Sequence, residues 1–534
     1  MTPAPFRVPG ATRHFATIAA ALALATALPA AASNAPAEDV PDPRPRFTLS
    51  TTEEFDPSSI AAYAGVHDAI YAYIDAHQAQ HLAHLQRWLR QPSISAQSVG
   101  IAEMAEMLRT DLEKLGFQEA EVVPTSGHPG VWGFYDAAAP KTLLVYMMYD
   151  VQPVEPEDWR SPPFDAAIVE HDLGKVLMAR GATNQKGPQR AFLNAIESIL
   201  AVEGKLPVNL MVLAEGEEEL GSPHYPELVD RYEARLRTAD GVFFPFNSQG
   251  ASGDISMSLG VKGILYFELE ARGGAWGGPK AAEIHGSFKS LVDSPTWRLV
   301  QALASLTSRD GNTILVDGYY DGIRAPTPEE ERLINGVART WNGKAMRSFM
   351  QVDRWVDDLD GAEAVLRHLY DVTLNIDGLW SGYTGEGVKT ILPHVATAKV
   401  DSRLPPGLDP DEQLAKIRRH LDSHGYADLV LRKLSAYPAA QTSIDSPLVR
   451  SAIAVFQKWG KVREVWPRLA GSAPFYQFTD RLGLPLVFNG LGHGSGAHAP
   501  NEYMVVEPKP GTGIAGLAEI EKGYVDLLFA LAGR

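Results

Sequence analysis

The chain has 534 residues, of which 45% are hydrophobic and 21% charged, and this composition excludes an intrinsically disordered protein. It is longer than one hydrophobic core usually serves, so we expect two domains or one domain with a large insertion. Its 48 basic and 65 acidic residues give a net charge of −17 without a long basic run, which argues against a nucleic-acid partner.

The N-terminal segment has the features of a cleaved export signal. Two arginines precede an apolar stretch at 15–28, and small residues come before Ser33. The stretch is shorter than the roughly 20 apolar residues that a membrane span needs. The chain also lacks cysteine, which suits an oxidising compartment. We predict a signal peptide over 1–32, a leader over 33–57, and a periplasmic or secreted mature protein with no membrane contact.

Helices and then alternating strands and helices are predicted for the first half of the chain. Apolar residues at helical spacing predict helices at 58–90 and 101–115. Further along, the pattern predicts strands at 121–124, 130–135, 142–149 and 208–214 and a helix at 187–202. This alternation is typical of an open α/β sheet with helices on its faces.

The pattern changes after Gly260 to that of an inserted α+β domain. The insertion is predicted to contain strands at 264–271, near 392–404 and at 428–434, a helix at 296–305 and a helix-rich region at 326–370. A helix at 446–459, a strand at 484–488 and a helix at 514–531 return to the first domain. The predicted fold class is α/β: an open mixed sheet domain, 58–260 and 435–534, with an inserted domain at 261–434.

Acidic side chains stand directly after two of the predicted strands. Glu215 and 217–219 follow the apolar strand 208–214, and Asp150 follows the strand 142–149. An acidic run is usually a solvated surface feature. Where a buried strand opens onto a ligand-binding edge, carboxylates so close together need a cation, a proton or solvent to relieve their repulsion. The sequence therefore predicts a functional site at this edge.

Several motifs together resemble the zinc-dependent dipeptidase family that includes carnosinases, glutamate carboxypeptidase, desuccinylases and aminoacylases, called metallopeptidase family twenty. They are Y-D-V-Q-P at 149–153, A-R-G-A-T-N-Q-K-G at 179–187, E-G-E-E-E-L-G-S at 215–222, N-I-D-G at 375–378, Y-T-G-E-G at 383–387, R-L-P-P-G at 403–407, G-S-A-P at 471–474 and H-A-P-N-E at 498–502. The resemblance extends from about Ser58 onward. It implies a hydrolase of small peptides or N-acyl amino acids, zinc as cofactor, and an inserted lid domain that forms a homodimer.

Three positions that bind metal in this family carry other residues here. Met148 stands where the family has a zinc-binding histidine, and Asn184 stands where it has an aspartate that bridges two metals. The next expected acid falls near Phe246. A thioether is a poor zinc ligand, and a neutral amide supplies no bridging charge. We therefore treat Met148, Asn184 and Phe246 as lost ligand positions.

Other site residues of the family remain. The resemblance implies that Glu218 is the general base, that Glu219 and His498 are metal ligands, and that Asp150 belongs to the catalytic group. Asn184 is then only a weak third ligand. Because a catalytic zinc normally keeps about three protein ligands, we predict one zinc or other divalent ion, or none.

The inserted domain keeps residues that the family uses on its substrate. His285, in I-H-G-S, matches a histidine that reaches across a dimer to stabilise the oxyanion, and Arg403 matches an arginine that grips the substrate carboxylate. Asn375 and Ser472 lie in matching motifs and are predicted to bind substrate.

Three functions follow from this pattern. The first is an exported hydrolase that cleaves an amide bond beside a free carboxylate, with a reduced or altered metal site. The second is a non-catalytic relative that binds a peptide or amino-acid derivative, which the three coordinated losses favour. The third is metal-independent chemistry in which Lys186 or Arg180 supplies the positive charge.

Overall fold

The computed structural model describes residues 42–534, so the predicted signal peptide and the first part of the leader lie outside the described residues. The helices of this part are α1 (Asp68–Ala76), α2 (Gln78–Arg90), α3 (Ile101–Lys114), α4 (Lys186–Glu203), α5 (Tyr225–Leu236), α6 (Pro295–Leu306), α7 (Pro328–Thr340), α8 (Gly343–Met350), α9 (Gly361–Tyr370), α10 (Pro410–Ser423), α11 (Pro447–Trp459) and α12 (Leu517–Leu531). Within 42–534, none of these helices combines the length and apolar character needed to cross a membrane.

The strands of the first half are β1 (Glu119–Val123), β2 (Gly130–Tyr135), β3 (Thr142–Met148), β4 (Ala167–His171), β5 (Gly174–Met178), β6 (Asn209–Glu215), β7 (Gly241–Phe243), β8 (Asp254–Ser258), β9 (Gly260–Val261) and β10 (Gly263–Arg272). Those of the second half are β11 (Ile284–His285), β12 (Asn375–Ser381), β13 (Ile391–Leu392), β14 (Val395–Leu404), β15 (Val430–Tyr437), β16 (Ala440–Gln441), β17 (Lys461–Trp466), β18 (Leu486–Val487), β19 (Gly494–Ser495) and β20 (Tyr503–Pro508).

A six-stranded mixed sheet, ordered β1-β2-β6-β3-β7-β18, forms the centre of the fold. β3, β6, β7 and β18 are parallel, whereas β1 and β2 are antiparallel to their neighbours. The register places Met148, at the end of β3, opposite Glu215, at the end of β6. The segments that follow these two strands therefore leave the sheet at the same edge, where open α/β sheets bind ligands.

Both faces of this sheet are buried. Val145 and Val212 face one apolar cluster with α1–α4, α11 and α12, whereas Leu144 and Leu213 face a second cluster with α5 and the aromatic segment around Phe475. Side chains alternate between the faces because a strand has a period of two. Two buried faces explain why the sequences of β3 and β6 are almost continuously apolar.

The insertion contains a second, antiparallel sheet in the order β12-β14-β10-β15. One face packs Leu265, Phe267 and Leu269 against α6 and α10. β12 lies at the edge of this sheet and exposes Leu379 and Trp380. The predicted α/β class, with an open mixed sheet and an α+β insertion, is confirmed, and the domain boundaries at 260 and 435 stay predictions.

The prediction of one helix over 58–90 is wrong. The chain forms α1 and α2 with a break at His77, and residues 60–67 are not helical. The His77 N–H bonds the carbonyls of Tyr73 and Ile74 while its ring bonds the same Tyr73 carbonyl at 2.7 Å. Upstream, the Tyr63 N–H donates to the Ala454 carbonyl at 2.8 Å. These tertiary and local contacts override the helical spacing of the apolar residues.

Several elements had no sequence prediction. They are the short strands of the four-stranded sheet β19-β20-β5-β4 and two amphipathic helices. In chain order, α5 lies between β6 and β7, and α10 lies between β14 and β15 of the insertion. Phe47 and Leu49, from the predicted leader, pack against a small apolar cluster in α7 and α9. Residues 42–57 are therefore anchored by apolar contacts although they form no long element.

Candidate functional site

The acidic turn after β6 is held by a buried carboxylate from the segment that follows the neighbouring strand, β3. Asp150 is fully buried, and its two oxygens accept the backbone N–H groups of Glu218 at 3.1 Å and Glu219 at 3.0 Å. Burial, followed by the charge of Glu219, raises the pKa of Asp150 to about 7. In this structure Asp150 is thus a positioning residue that fixes the direction of the two glutamates.

Glu218 has the properties of a proton acceptor. Burial raises the pKa of its carboxyl well above the usual range, and the charges of Glu219, Asp150 and Glu215 add to this effect. Glu215 itself is buried and accepts hydrogen bonds from the Tyr146 hydroxyl at 2.6 Å and the Ser222 hydroxyl at 2.9 Å. A carboxylate of raised pKa is a stronger base toward a bound water.

Glu219 lies at the centre of a hydrogen-bonded group, which we call the Glu219 cluster: Gln152, Asn184, Glu219 and His498. The Glu219 carboxylate accepts the Asn184 amide at 2.7 Å and the Gln152 amide at 2.8 Å, and the His498 Nε2 lies 3.2 Å from its second oxygen. Asn184 Nδ2 is also 3.1 Å from His498 Nε2. The structure therefore brings together the three residues predicted as metal ligands and adds Gln152.

The loop that carries Asn184 is fixed by Glu502. This buried carboxylate accepts the Arg180 guanidinium at 2.7 Å and the backbone N–H groups of Thr183 and Asn184 at 2.9 Å each. Lys186, which follows the loop, is buried and donates to the Gln91 carbonyl at 2.7 Å. Burial lowers the pKa of Lys186 to about 7. Arg180 and Lys186 thus face internal acceptors rather than the Glu219 cluster.

Two of the lost ligand positions lie in apolar surroundings. Met148 is 2% exposed and belongs to the second apolar cluster of the sheet. Phe246 packs against the same cluster, with its ring edge-on to Phe244 at 6.1 Å and to Phe488 at 6.3 Å between centroids. These positions extend the core to the edge of the sheet.

The residues predicted to bind substrate form a second polar group. Arg403 donates to Asp401 at 3.0 Å and to the Ser472 hydroxyl at 3.1 Å, and Asn375 donates to the other Asp401 oxygen at 3.2 Å. The Arg403 side chain is 36% exposed, which leaves it accessible to a ligand. Burial and the charge of Glu218 raise the pKa of Tyr437, while Arg403 opposes the shift. Tyr437 thus lies within reach of the charges of both Glu218 and Arg403.

His285 is placed differently from the other predicted residues. It lies in the short strand β11, is exposed, and its Nδ1 bonds the Ser287 hydroxyl at 2.8 Å. In the described part of the chain it does not join the Glu219 cluster.

Sequence reasoning missed several residues that support the site. They are Gln152, Asp401, Tyr437 and Glu502. Gln152 stands in the Y-D-V-Q-P turn and Glu502 ends the H-A-P-N-E motif, so both had a positional signal, whereas nothing in the local sequence marks Asp401 or Tyr437.

The donor set does not fit the two-metal centre that the resemblance implies. Glu219 and His498 are the retained carboxylate and imidazole ligands, and Asn184 donates its amide N–H to Glu219 at 2.7 Å while its Nδ2 lies 3.1 Å from His498 Nε2. The other two lost ligand positions hold Met148, whose thioether is a poor zinc ligand, and Phe246, whose phenyl ring is no ligand.

Comparisons with known proteins agree on one family. The family model described as "Peptidase family M20/M25/M40" matches residues 144–520. The chain is 27% identical over 462 residues to the Cys-Gly metallodipeptidase DUG1 of Candida albicans, covering 80% of this chain and 90% of that protein. It is 28% identical over 375 residues to the human Beta-Ala-His dipeptidase, covering 66% and 71%. The crystal structure of the M20 family metallo-carboxypeptidase Sso-CP2 from Sulfolobus solfataricus superposes with a TM-score of 0.75 at 32% identity, over 85% of this chain and 100% of that one.

Proposed function

Because the chain belongs to peptidase family M20/M25/M40, we propose that it hydrolyses an amide bond beside a free carboxylate in a small peptide or an N-acyl amino acid. It is a dipeptidase- and carboxypeptidase-like member of this hydrolase family. The observation that carries the proposal is that Glu218, a carboxyl of raised pKa, and Arg403, an accessible guanidinium, lie close enough to the same side chain, Tyr437, for both charges to act on its pKa.

In the proposed reaction Glu218 takes a proton from water, and the water oxygen attacks the carbonyl carbon of the substrate amide. The proton then passes to the amide nitrogen as the carbon–nitrogen bond breaks, which yields a carboxylic acid and an amine. Arg403 binds the free carboxylate of the substrate, a task suited to its planar, bidentate donors. Ser472 and Asp401 hold the guanidinium in place.

The remaining parts of the proposal concern assembly, export and the metal site. We propose a homodimer, in which His285 of the second copy supports the oxyanion, and the exposed apolar side chains of β12 support such an interface. We propose export to the periplasm or the medium, supported by the signal-like segment at 1–32. We also propose that the metal site differs from that of active two-metal relatives.

A mass-spectrometric screen of dipeptides and N-acyl amino acids tests the activity. With a substrate in hand, Glu218→Gln should lower kcat by about 100- to 10,000-fold, because it removes the base. The matched control is Glu113→Gln, an exposed glutamate of α3. Arg403→Ala should raise KM far more than Arg354→Ala, whose side chain is 71% exposed. Unchanged turnover in Glu218→Gln would refute the proposed role.

A second candidate, binding without cleavage, is favoured by the satisfied hydrogen bonds of Glu219. Its two oxygens already accept the side-chain amides of Asn184 and Gln152. A binding protein predicts calorimetric binding of a dipeptide that Arg403→Ala weakens, while no product forms in the same mixture. Product formation by the wild type would exclude this candidate.

A further inference from the structure

We infer that this chain does not assemble the two-metal centre of its family, and that the Glu219 cluster holds its shape without a metal ion. Side-chain amides and an imidazole take the place of cations around the Glu219 carboxylate. The inference deepens the proposed function and rests on it, because it concerns the same site.

The atoms of Glu219 and His498 that would bind one of the two ions are already engaged in contacts with other side chains. One Glu219 oxygen accepts Asn184 at 2.7 Å, and the other accepts Gln152 at 2.8 Å. The ring nitrogen of His498 that would face a metal lies 3.2 Å from Glu219. The Glu219 side chain is 3% exposed, so solvent does not compete for these bonds. Amide N–H groups thus occupy the positions beside the Glu219 oxygens that a cation would have to occupy.

The orientation of the Asn184 amide is fixed by a neighbour. Gln185 donates to Asn184 Oδ1 at 3.0 Å, which leaves the Nδ2 group directed at Glu219 and His498. Turning the amide to offer its oxygen to a metal would lose the hydrogen bond from Gln185 and both contacts of Nδ2. Asn184 therefore donates in this cluster and does not bridge two cations.

The other of the two ions would lack ligands. Its position is bounded by Met148, which is 2% exposed, and by Phe246, which packs on aromatic rings. A divalent ion beside these side chains would lose hydration without gaining ligands, and burying such a charge without partners costs far more than the fold can supply. A thioether also ranks low among zinc ligands.

Metal content is measured by elemental mass spectrometry after the full chain is dialysed against zinc and manganese and then against buffer. The inference predicts no tightly held ion in the wild type, and a melting temperature that added zinc or a chelator leaves unchanged. The variant with Met148→His, Asn184→Asp and Phe246→Asp restores the missing donors and should gain bound zinc. One or two tightly held ions in the wild type would overturn the inference.

A single variant covers the case in which the triple variant fails to fold. Asn184→Asp places a second carboxylate against Glu219, so its melting temperature should rise with added zinc while that of the wild type stays constant. The matched control is Asn312→Asp, an exposed site with no expected zinc response. A zinc-dependent rise in the wild type equal to that in Asn184→Asp would contradict the inference.

Measuring metal content and turnover together distinguishes failure of the inference from failure of the proposed function. Turnover that persists in a chelator supports both the proposed function and the inference. Turnover that requires zinc supports the function and overturns the inference. A metal-free wild type that binds substrates without cleaving any supports the inference and refutes the hydrolase.

Discussion

Replacing Glu502 by glutamine should unfold the loop that presents Asn184 to the site. Glu502 is fully buried and accepts four hydrogen bonds, from the Arg180 guanidinium at 2.7 Å and from the N–H groups of Gly181 at 3.0 Å, Thr183 at 2.9 Å and Asn184 at 2.9 Å. Glutamine offers one acceptor oxygen, and its NH₂ group would face N–H donors. Glu502→Gln therefore leaves part of this donor set without acceptors.

The cost is dominated by Arg180. Its guanidinium is 3% exposed, and its Nε has no hydrogen-bond partner among residues 42–534. Breaking a buried ion pair by removing one partner costs about 3–5 kcal/mol, because the other charge stays buried without compensation. Burial raises the pKa of Glu502, while the N–H groups of Asn184 and Gly181 and the charge of Arg180 oppose this shift. We expect a loss near the lower end of the range.

Urea unfolding at neutral pH, followed by circular dichroism, measures this loss. The matched control is Glu507→Gln, because Glu507 is 63% exposed and pairs with an exposed Lys175. Exposed pairs contribute about 0–1 kcal/mol, so the control should unfold close to the wild type. If Glu502→Gln also unfolds within about 1 kcal/mol of the wild type, the buried pair does not hold the loop as argued.

Three further outcomes are expected. Burial lowers the pKa of Lys262 from 10.5 to about 7, so the unfolded chain binds more protons between these values and stability should rise with pH there. Lys262→Met should remove up to about 2–3 kcal/mol of that rise between pH 7 and pH 9 in urea unfolding. Leu213→Ala, at a fully buried position of β6, should cost about 2–5 kcal/mol in the same assay. Leu379→Glu, on exposed β12, should shift the proposed dimer to monomer in analytical ultracentrifugation, whereas an unchanged mass would place the interface elsewhere.

The sequence was sufficient to predict three strands of the central sheet, β2, β3 and β6, which are buried on both faces. β2 has the predicted bounds, β3 ends one residue earlier than predicted, and β6 is shifted by one residue at both ends. Their apolar runs are long enough to fill both faces of the sheet, so few alternative structures compete. The same runs located the acidic turn, because a charged residue directly after such a strand emerges at the sheet edge.

Elements held by distant contacts were not predictable in this way. Apolar residues at helical spacing continue through 60–67, yet that segment bonds α11 through Tyr63 and is not helical. Within the site, local motifs located Asn184, Glu219 and His498, but the direction of each amide depends on partners far along the chain. Gln152 is 67 residues from Glu219 in the sequence. No local pattern encodes that hydrogen bond.

The lost ligand at 148 follows from the same strand periodicity that built the core. Leu144, Tyr146 and Met148 occupy alternate positions of β3 and point to the same face. A histidine at 148 would end that apolar row with a polar donor at the sheet edge, whereas methionine extends it by one residue. Phe246 extends the same cluster from the segment after β7. Met148 and Phe246 thus make this part of the sheet edge continuous with the core. We therefore expect that introducing one polar donor alone at this face would bury an unpartnered polar group rather than create a metal site.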